Sequence, residues 1–276
     1  APMGVVASSR TLFTNWNLVM ALIVLAFGTL LAMALHPRPE HTVTVSTERL
    51  ERLKRWIPPE RPAPPLSPAK WLDWSPIWTI LVAIAGYGWL IWWFYTKGAS
   101  ITLDVVNVGF MTTGLVLHWY PKRFLAAVED AMKATWGIIL QFPFYGGILG
   151  IIKFSALAKV FAEWFVAIST PRTYPIFAYW YAGILNYFVP SGGSEWIITA
   201  PYLLEAANRL GVSYATTTLA YAWGDMMTDV IQPFWAIPLM TIAGVEFREI
   251  MGFAIVFFVL YAILISVALL FIPLGL

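Results

Sequence analysis

With 276 residues, 59% of them hydrophobic and only 12% charged, this chain is no soluble domain, where about a quarter of residues carry charge. A mean hydropathy of +0.72 and 15 tryptophans mark an integral membrane protein. The net charge of +2 gives nucleic-acid binding no support, and the lack of cysteine excludes a disulfide framework, thiolate catalysis and a cysteine-ligated metal. His36, His41 and His118 are the only histidines, and their spacing fits no zinc motif; a solvated loop is expected for the first two and an interface for the third. No G-x-x-x-x-G-K-[ST], H-E-x-x-H or G-x-S-x-G occurs, and no enzyme is expected.

The first span is expected at about Leu12–Leu35, roughly the twenty apolar residues a bilayer requires. It is too long for a signal-peptide core and lacks a cleavage pattern after it, so it reads as retained. The chain opens on Ala1 rather than methionine, as processing, cloning or the later portion of a longer chain would each produce. The only long polar segment, His36–Asp73, follows. Within it Ser46–Ile57 predicts a short amphipathic helix with Leu50, Leu53 and Ile57 on one face, Ser46 as N-cap and Glu48 in the first turn. Arg49, Arg52, Lys54 and Arg55 make that helix basic, which suits an anionic membrane surface and equally a solvated linker. Pro58-Pro59, Pro62, Pro64-Pro65 and Pro68 predict an extended spacer.

A second span is expected at about Trp74–Tyr95 and a third at about Ile101–Trp119, with Asp104 and Asn107 near the start of the latter. The long loop before the second span is rich in Lys and Arg, and Lys122, Arg123 and Lys133 follow the third. Lys97 stands alone between the two. The positive-inside rule therefore places His36–Asp73 and Pro121–Lys133 in the cytoplasm and Ala1 outside. The fourth segment, about Ala134–Ile152, contains Pro143, Gly146 and Gly147. Pro143 removes a donor and crowds the carbonyl of Ile139, so a kink or break is expected there, either for packing or beside a ligand. Gly146 and Gly150 form a small-xxx-small face. Ala156–Ala167 is short and suits the interface.

Tyr174–Val189 and Trp196–Asn208 flank Pro190–Ser194, which cannot continue a helix, and Arg209-Leu210-Gly211 reads as a helix stop. A re-entrant helical hairpin over 174–210 fits this pattern better than two crossings. Ser213–Gln232 breaks at Gln232-Pro233 and resumes as Phe234–Ala243, a broken helix over 213–243. Glu246, Arg248 and Glu249 mark a polar loop before a last, lipid-facing span at Met251–Pro273. The domain order is thus a first transmembrane helix (1–35), a cytoplasmic helix and spacer (36–73) and a transport region (74–276).

The chemistry gathers in 186–233. Asp225, Thr228, Asp229 and Gln232 lie at i, i+3, i+4 and i+7, one polar stripe on a helix. Carboxylates and breakers at membrane depth persist where they face protein or a wet cavity. Gly192-Gly193 permits positive φ and close approach to a ligand, and Ser191 or Ser194 can cap the next helix. The start of that helix, with unpaired N–H groups, suits a carboxylate, although Glu195 can satisfy the same dipole itself. Asp225 and Asp229 suit a monovalent cation, an exchanging proton or a buried hydrogen-bonded pair.

IILQFPFYGGILGII, NYFVPSGGSEW and AYAWGDMMTDVIQPFWAIPL together resemble the bacterial short-chain fatty acid transporter family, which takes up acetoacetate and butyrate, within a wider ion transporter superfamily. The likeness implies an all-α polytopic membrane protein, half of an inverted-repeat, elevator-like transporter. It implies secondary transport of a small carboxylate in the bacterial cytoplasmic (inner) membrane, coupled to Na+ or H+, with no other cofactor. On the same ground Asn186, Ser191, Gly192, Gly193, Ser194 and Glu195 line the substrate side, and Asp225, Thr228, Asp229 and Gln232 the ion side. Ser194-Glu195 stands where relatives often have Gly-Gln, which brings a carboxylate to the hairpin tip. Family members are also considerably longer. This chain resembles their C-terminal portion, so its expected partners, besides substrate and membrane lipid, are a second copy or a missing N-terminal half that completes a midplane site. A membrane subunit that docks another protein is the alternative, based on the shorter length and the basic helix with its proline spacer.

Overall fold

The computed structural model describes residues 6, 8–42, 44–54, 56–98 and 101–276, without the side chains of residues 8, 41, 49, 52–54, 158, 161, 162 and 165. Among the described residues there is no strand. In chain order the α-helices are α1 (Asn15–Leu35), α2 (Thr47–Lys54), α3 (Pro68–Asp73), α4 (Pro76–Lys97), α5 (Leu103–His118) and α6 (Pro121–Phe154). They continue with α7 (Leu157–Ala167), α8 (Tyr174–Phe188), α9 (Gly192–Leu210), α10 (Tyr214–Asp229), α11 (Pro233–Ala243) and α12 (Phe247–Leu269). Among the described residues four helices, α1, α4, α6 and α12, are long and apolar enough to cross a membrane. The all-helical, polytopic class that the family likeness implies is what the described residues adopt.

Two compact units divide the chain: residues 45–136, and residues 1–44 together with 137–276. In the first, α4 and α5 pack closely because Gly86 presents no side chain to Thr112; a Cβ at Gly86 would stand 2.2 Å from the Thr112 hydroxyl. Thr79, buried on α4, donates to the carbonyl of Trp119 at 2.8 Å. The proline-rich stretch does not run free as an extended spacer throughout. Arg123 Nε donates to the Pro59 carbonyl at 3.1 Å, and its guanidinium lies over the rings of Trp74 and Tyr120. Pro68 opens α3 behind a Ser67 cap instead of extending the spacer, since proline's missing N–H costs nothing in a first turn. Ile57 lies beyond the end of α2, so it does not share the helical face expected with Leu50. Arg55 lies outside the described residues, as do the side chains of Arg49, Arg52, Leu53 and Lys54, which carried the amphipathic reading. The expected extracellular placement of Ala1 also falls outside them.

The helix α6 runs unbroken through Pro143, Gly146 and Gly147. The helix break expected at those residues is absent. Proline deletes one backbone hydrogen bond of a 34-residue ladder, and the turns on either side carry the helix across. The same ladder absorbs Pro121–Lys133, expected as a loop.

In the other unit, α8 and α10 form the centre, with α1 and α12 on one side and α9 on another. Their shared core includes Tyr179, Ala220, Met227, Tyr261 and Ile265, all essentially inaccessible to solvent. Indole and hydroxyl donors tie the layers: Trp223 to Asn17 Oδ1 at 2.9 Å, Trp180 to Ser266 at 3.1 Å, and Tyr261 to the Trp223 carbonyl at 3.3 Å. The Tyr174 hydroxyl, at the start of α8, donates to the Leu203 carbonyl in the second half of α9, so the two helices double back on each other. α12 begins at Phe247, four residues earlier than expected, because the Glu249 carboxylate accepts from the Glu246 N–H and draws Arg248 and Glu249 into its first turn.

α9 stops at Gly211, whose φ of +70° lets its N–H reach the carbonyls of Ala207 and Asn208. Gly211→Ala is expected to destabilise the protein by about 1 kcal/mol, read from its unfolding midpoint in detergent, because an alanine side chain is strained at that φ.

Candidate functional site

The site is built where α8 and α10 touch backbone to backbone. Gly224 on α10 faces Tyr179 on α8, and a Cβ there would lie 2.1 Å from the Tyr179 carbonyl oxygen. Gly183 on α8 answers it, its missing side chain replaced by Met227 and by the Gly224 carbonyl. Small residues at such a crossing let two helices approach more closely than larger ones allow.

One helical turn beyond that crossing sits Asn186, only 1% exposed. Its amide nitrogen reaches the Asp225 carbonyl at 2.7 Å, Asp229 Oδ1 at 2.8 Å and the Thr228 hydroxyl at 3.1 Å. Thr228 donates in turn to the Gly183 carbonyl at 2.8 Å. Gln232 donates to the Tyr187 carbonyl at 2.6 Å, and its Oε1 accepts from the Phe234 N–H and the Tyr145 hydroxyl, both at 3.4 Å. The expected stripe of Asp225, Thr228, Asp229 and Gln232 therefore gathers around one asparagine. Its members differ in what they do. Thr228 and Gln232 are engaged as a clamp between α10 and α8 and as the cap of α11, whereas Asp225 Oδ1 and Asn186 Oδ1 are buried without a hydrogen-bond partner.

The break between α10 and α11 covers residues 230–232, ending on the extended Gln232 (φ −82°, ψ 115°). Pro233 imposes that conformation on the residue before it and brings no N–H to the ladder.

Beside Asp225, in the second half of α10, lies the start of α9. Ser191 makes no side-chain cap there; its hydroxyl donates to the Ser194 hydroxyl at 3.1 Å. Gly192 and Gly193 open the helix in ordinary helical conformation, without the positive φ expected of them. Gly192 is needed for a different reason. A Cβ on it would stand 2.7–2.9 Å from the carboxylate of Asp225, so the acid of α10 rests against the first turn of α9. That places a negative charge at the positive end of a helix, a favourable arrangement. Nothing lies within 4 Å of a Cβ on the adjacent Gly193, which is exposed.

Glu195 sits one turn further along α9, only 2% exposed, with neither carboxylate oxygen hydrogen-bonded. The Thr199 and Tyr221 hydroxyls are likewise buried; Tyr221 lies close to both Glu195 and Thr199, yet none of these oxygens is in hydrogen-bonding geometry with another. Tyr221 also packs against Trp196, their ring centroids 4.7 Å apart and the planes tilted by 57°. Thr199 and Tyr221 carry no sequence signal of their own; a polar side chain four residues after Glu195 on the same helix was the only hint. Among the described residues no three acidic or histidine side chains gather closely enough to hold a metal ion.

Broken and doubled-back helices, with unpartnered polar atoms between them in a chain of apolar spans, define a polytopic membrane protein. Residues 2–272 match the family described as short chain fatty acid transporter, and the chain belongs to that family. It is 31% identical over 255 residues to a "putative short-chain fatty acid transporter" of Escherichia coli (strain K12), covering 91% of this chain and 57% of that protein. A protein of the same printed name from Haemophilus influenzae is 29% identical, over 91% of this chain and 56% of the relative. A "putative basic amino acid antiporter" of Escherichia coli is 22% identical over 62% of this chain and 38% of the relative. No solved structure matches. The chain spans little more than half the length of the two short-chain fatty acid transporter relatives it matches. The family is one of transporters rather than enzymes, in line with the missing catalytic motifs.

Proposed function

We propose that the protein moves short-chain fatty acids, or similar small carboxylates, across the bacterial cytoplasmic membrane, coupled to Na+ or H+. The observation that carries this reading is the pair of buried, unpartnered acceptors, Asp225 Oδ1 and Asn186 Oδ1, beside the start of α9 and the α10–α11 break. Buried polar atoms are seldom left without partners, and such atoms beside a helix break are where a transporter holds its cargo and coupling ion.

In this mechanism α8 and α9 form a re-entrant hairpin. The substrate carboxylate approaches the open side of its tip, at Gly193, and takes hydrogen bonds from Ser191, Ser194 and the first N–H groups of α9. Asp225 and Asp229, steadied by Asn186, hold the coupling cation and set the charge the substrate meets. Their oxygens, with Asn186 Oδ1, are of the hard-donor type a sodium ion takes. Thr228 and Gln232 keep α10 and α8 in register and contribute no ligand. Family membership favours this over a docking subunit.

Labelled butyrate uptake by the full-length protein in proteoliposomes tests the proposal. Uptake above that of protein-free vesicles is expected, and Asp225→Asn is expected to abolish its response to ion gradients. Uptake indifferent to both the substitution and the collapse of the gradients would refute it.

A further inference from the structure

We propose that Glu195, with the hydroxyls of Tyr221 and Thr199, forms a proton site separate from Asp225 and Asp229, and that this proton travels with the carboxylate. The inference rests on the transport reading above and deepens it by adding a proton, held on one side chain, to the cation at Asp225 and Asp229. Three groups carry it. The Glu195 carboxyl is 2% exposed with both oxygens unpartnered; Thr199 and Tyr221, 0% and 4% exposed, bring two more unpartnered hydroxyls to the same place. A closed structural network would pair these groups with one another or with the backbone. Here four polar atoms are buried and left open, which points to an occupant.

The surroundings decide what the occupant is. Tyr181 faces Glu195 from α8, Tyr221, Asp225 and Asp229 from α10. The ionisable residues of α7, which also packs on α9, are Lys159 and Glu163, exposed and paired with each other at 3.6 Å. No basic side chain is among the groups that act on Glu195, and the acids of α10 add charge of the same sign. A bare carboxylate in that position is costly, and the start of a helix offsets only a fraction of the cost. A cation must therefore neutralise it. A hard metal cation gathers several oxygen ligands at once. Glu195 is offered the two hydroxyls of Thr199 and Tyr221. Those suit a proton: it sits on one Glu195 oxygen, and the hydroxyls accept from the O–H and donate to the other oxygen. The proton is taken from water on one side of the membrane and returned to water on the other.

Infrared spectra of the purified full-length protein at neutral pH test this directly. A protonated-carboxyl C=O band is expected in the parent and in Glu205→Gln, a surface control paired with Arg209, and is expected to vanish in Glu195→Gln. Tyr221→Phe and Thr199→Ala, which keep the acid, are expected to shift that band, and they serve if Glu195→Gln does not fold. An unchanged band in all three variants would overturn the proposal. In proteoliposomes, Glu195→Gln is expected to lose proton-driven net butyrate uptake. Retained proton-driven uptake would likewise overturn it. If the parent itself exchanges no butyrate, the transport reading fails, while the infrared band still reports on Glu195.

Discussion

Gly192→Ala is expected to reduce butyrate transport on the order of a hundredfold while the protein stays folded, the scale of loss that follows when a reacting group is displaced by about an ångström. The added methyl would meet Asp225 Oδ2 at 2.7 Å, Oδ1 at 2.8 Å and Cγ at 2.9 Å, well inside contact distance. The carboxylate is the end of a short side chain, so it can move, and the helix loses its charge partner. Helix propensity works the other way, because alanine is preferred over glycine by about 1 kcal/mol. Stability and transport should therefore separate, stability holding or rising as uptake falls. Gly252→Ala on α12, whose Cβ would meet nothing within 4 Å, is the matching control. Parental uptake in the Gly192 variant would show that Asp225 does not need its place against α9.

Gly224→Ala should instead unfold the protein more easily, by about 3 kcal/mol, the upper end of what overpacking commonly costs. Its Cβ would press on backbone, the Tyr179 carbonyl oxygen at 2.1 Å and the carbonyl carbon at 2.8 Å, and backbone inside a helix cannot step aside. Relief requires α8 and α10 to move apart, and that also stretches the Asn186 contacts one turn away. Chemical unfolding in detergent, followed by tryptophan fluorescence, measures the change. An unfolding midpoint equal to the parent's would mean that the two helices are not in backbone contact at this residue. Gly150→Ala on α6 is expected to be neutral or slightly stabilising, since open space surrounds that position.

The two substitutions show why identical residue types carry different meanings. A reader of the sequence sees glycine and expects conformational freedom. At Gly192 and Gly224 the backbone is helical, and what matters is the absent Cβ. Gly211, the expected stop of α9, does use its freedom of φ, as do Gly98 and Gly244 at the ends of α4 and α11. Similarly, Pro233 and Pro143 read alike along the chain. At Pro233 the preceding residues leave the helix and Gln232 caps the next one, whereas at Pro143 the flanking turns of α6 hold.

What the sequence determined by itself is local. Its apolar runs dictate helices long enough to span, its period places Asp225, Thr228, Asp229 and Gln232 on one face, and Gln232-Pro233 marks the break, because each follows from covalent geometry and spacing within one segment. Which polar atoms are satisfied was decided only by the tertiary structure. Thr228 finds the Gly183 carbonyl 45 residues away and Gln232 that of Tyr187, while Tyr221 comes close to Glu195 and Thr199 without hydrogen-bonding geometry to either. Hydrogen bonding is a matter of a few tenths of an ångström between helices distant in the chain, and no periodicity along a single helix encodes it.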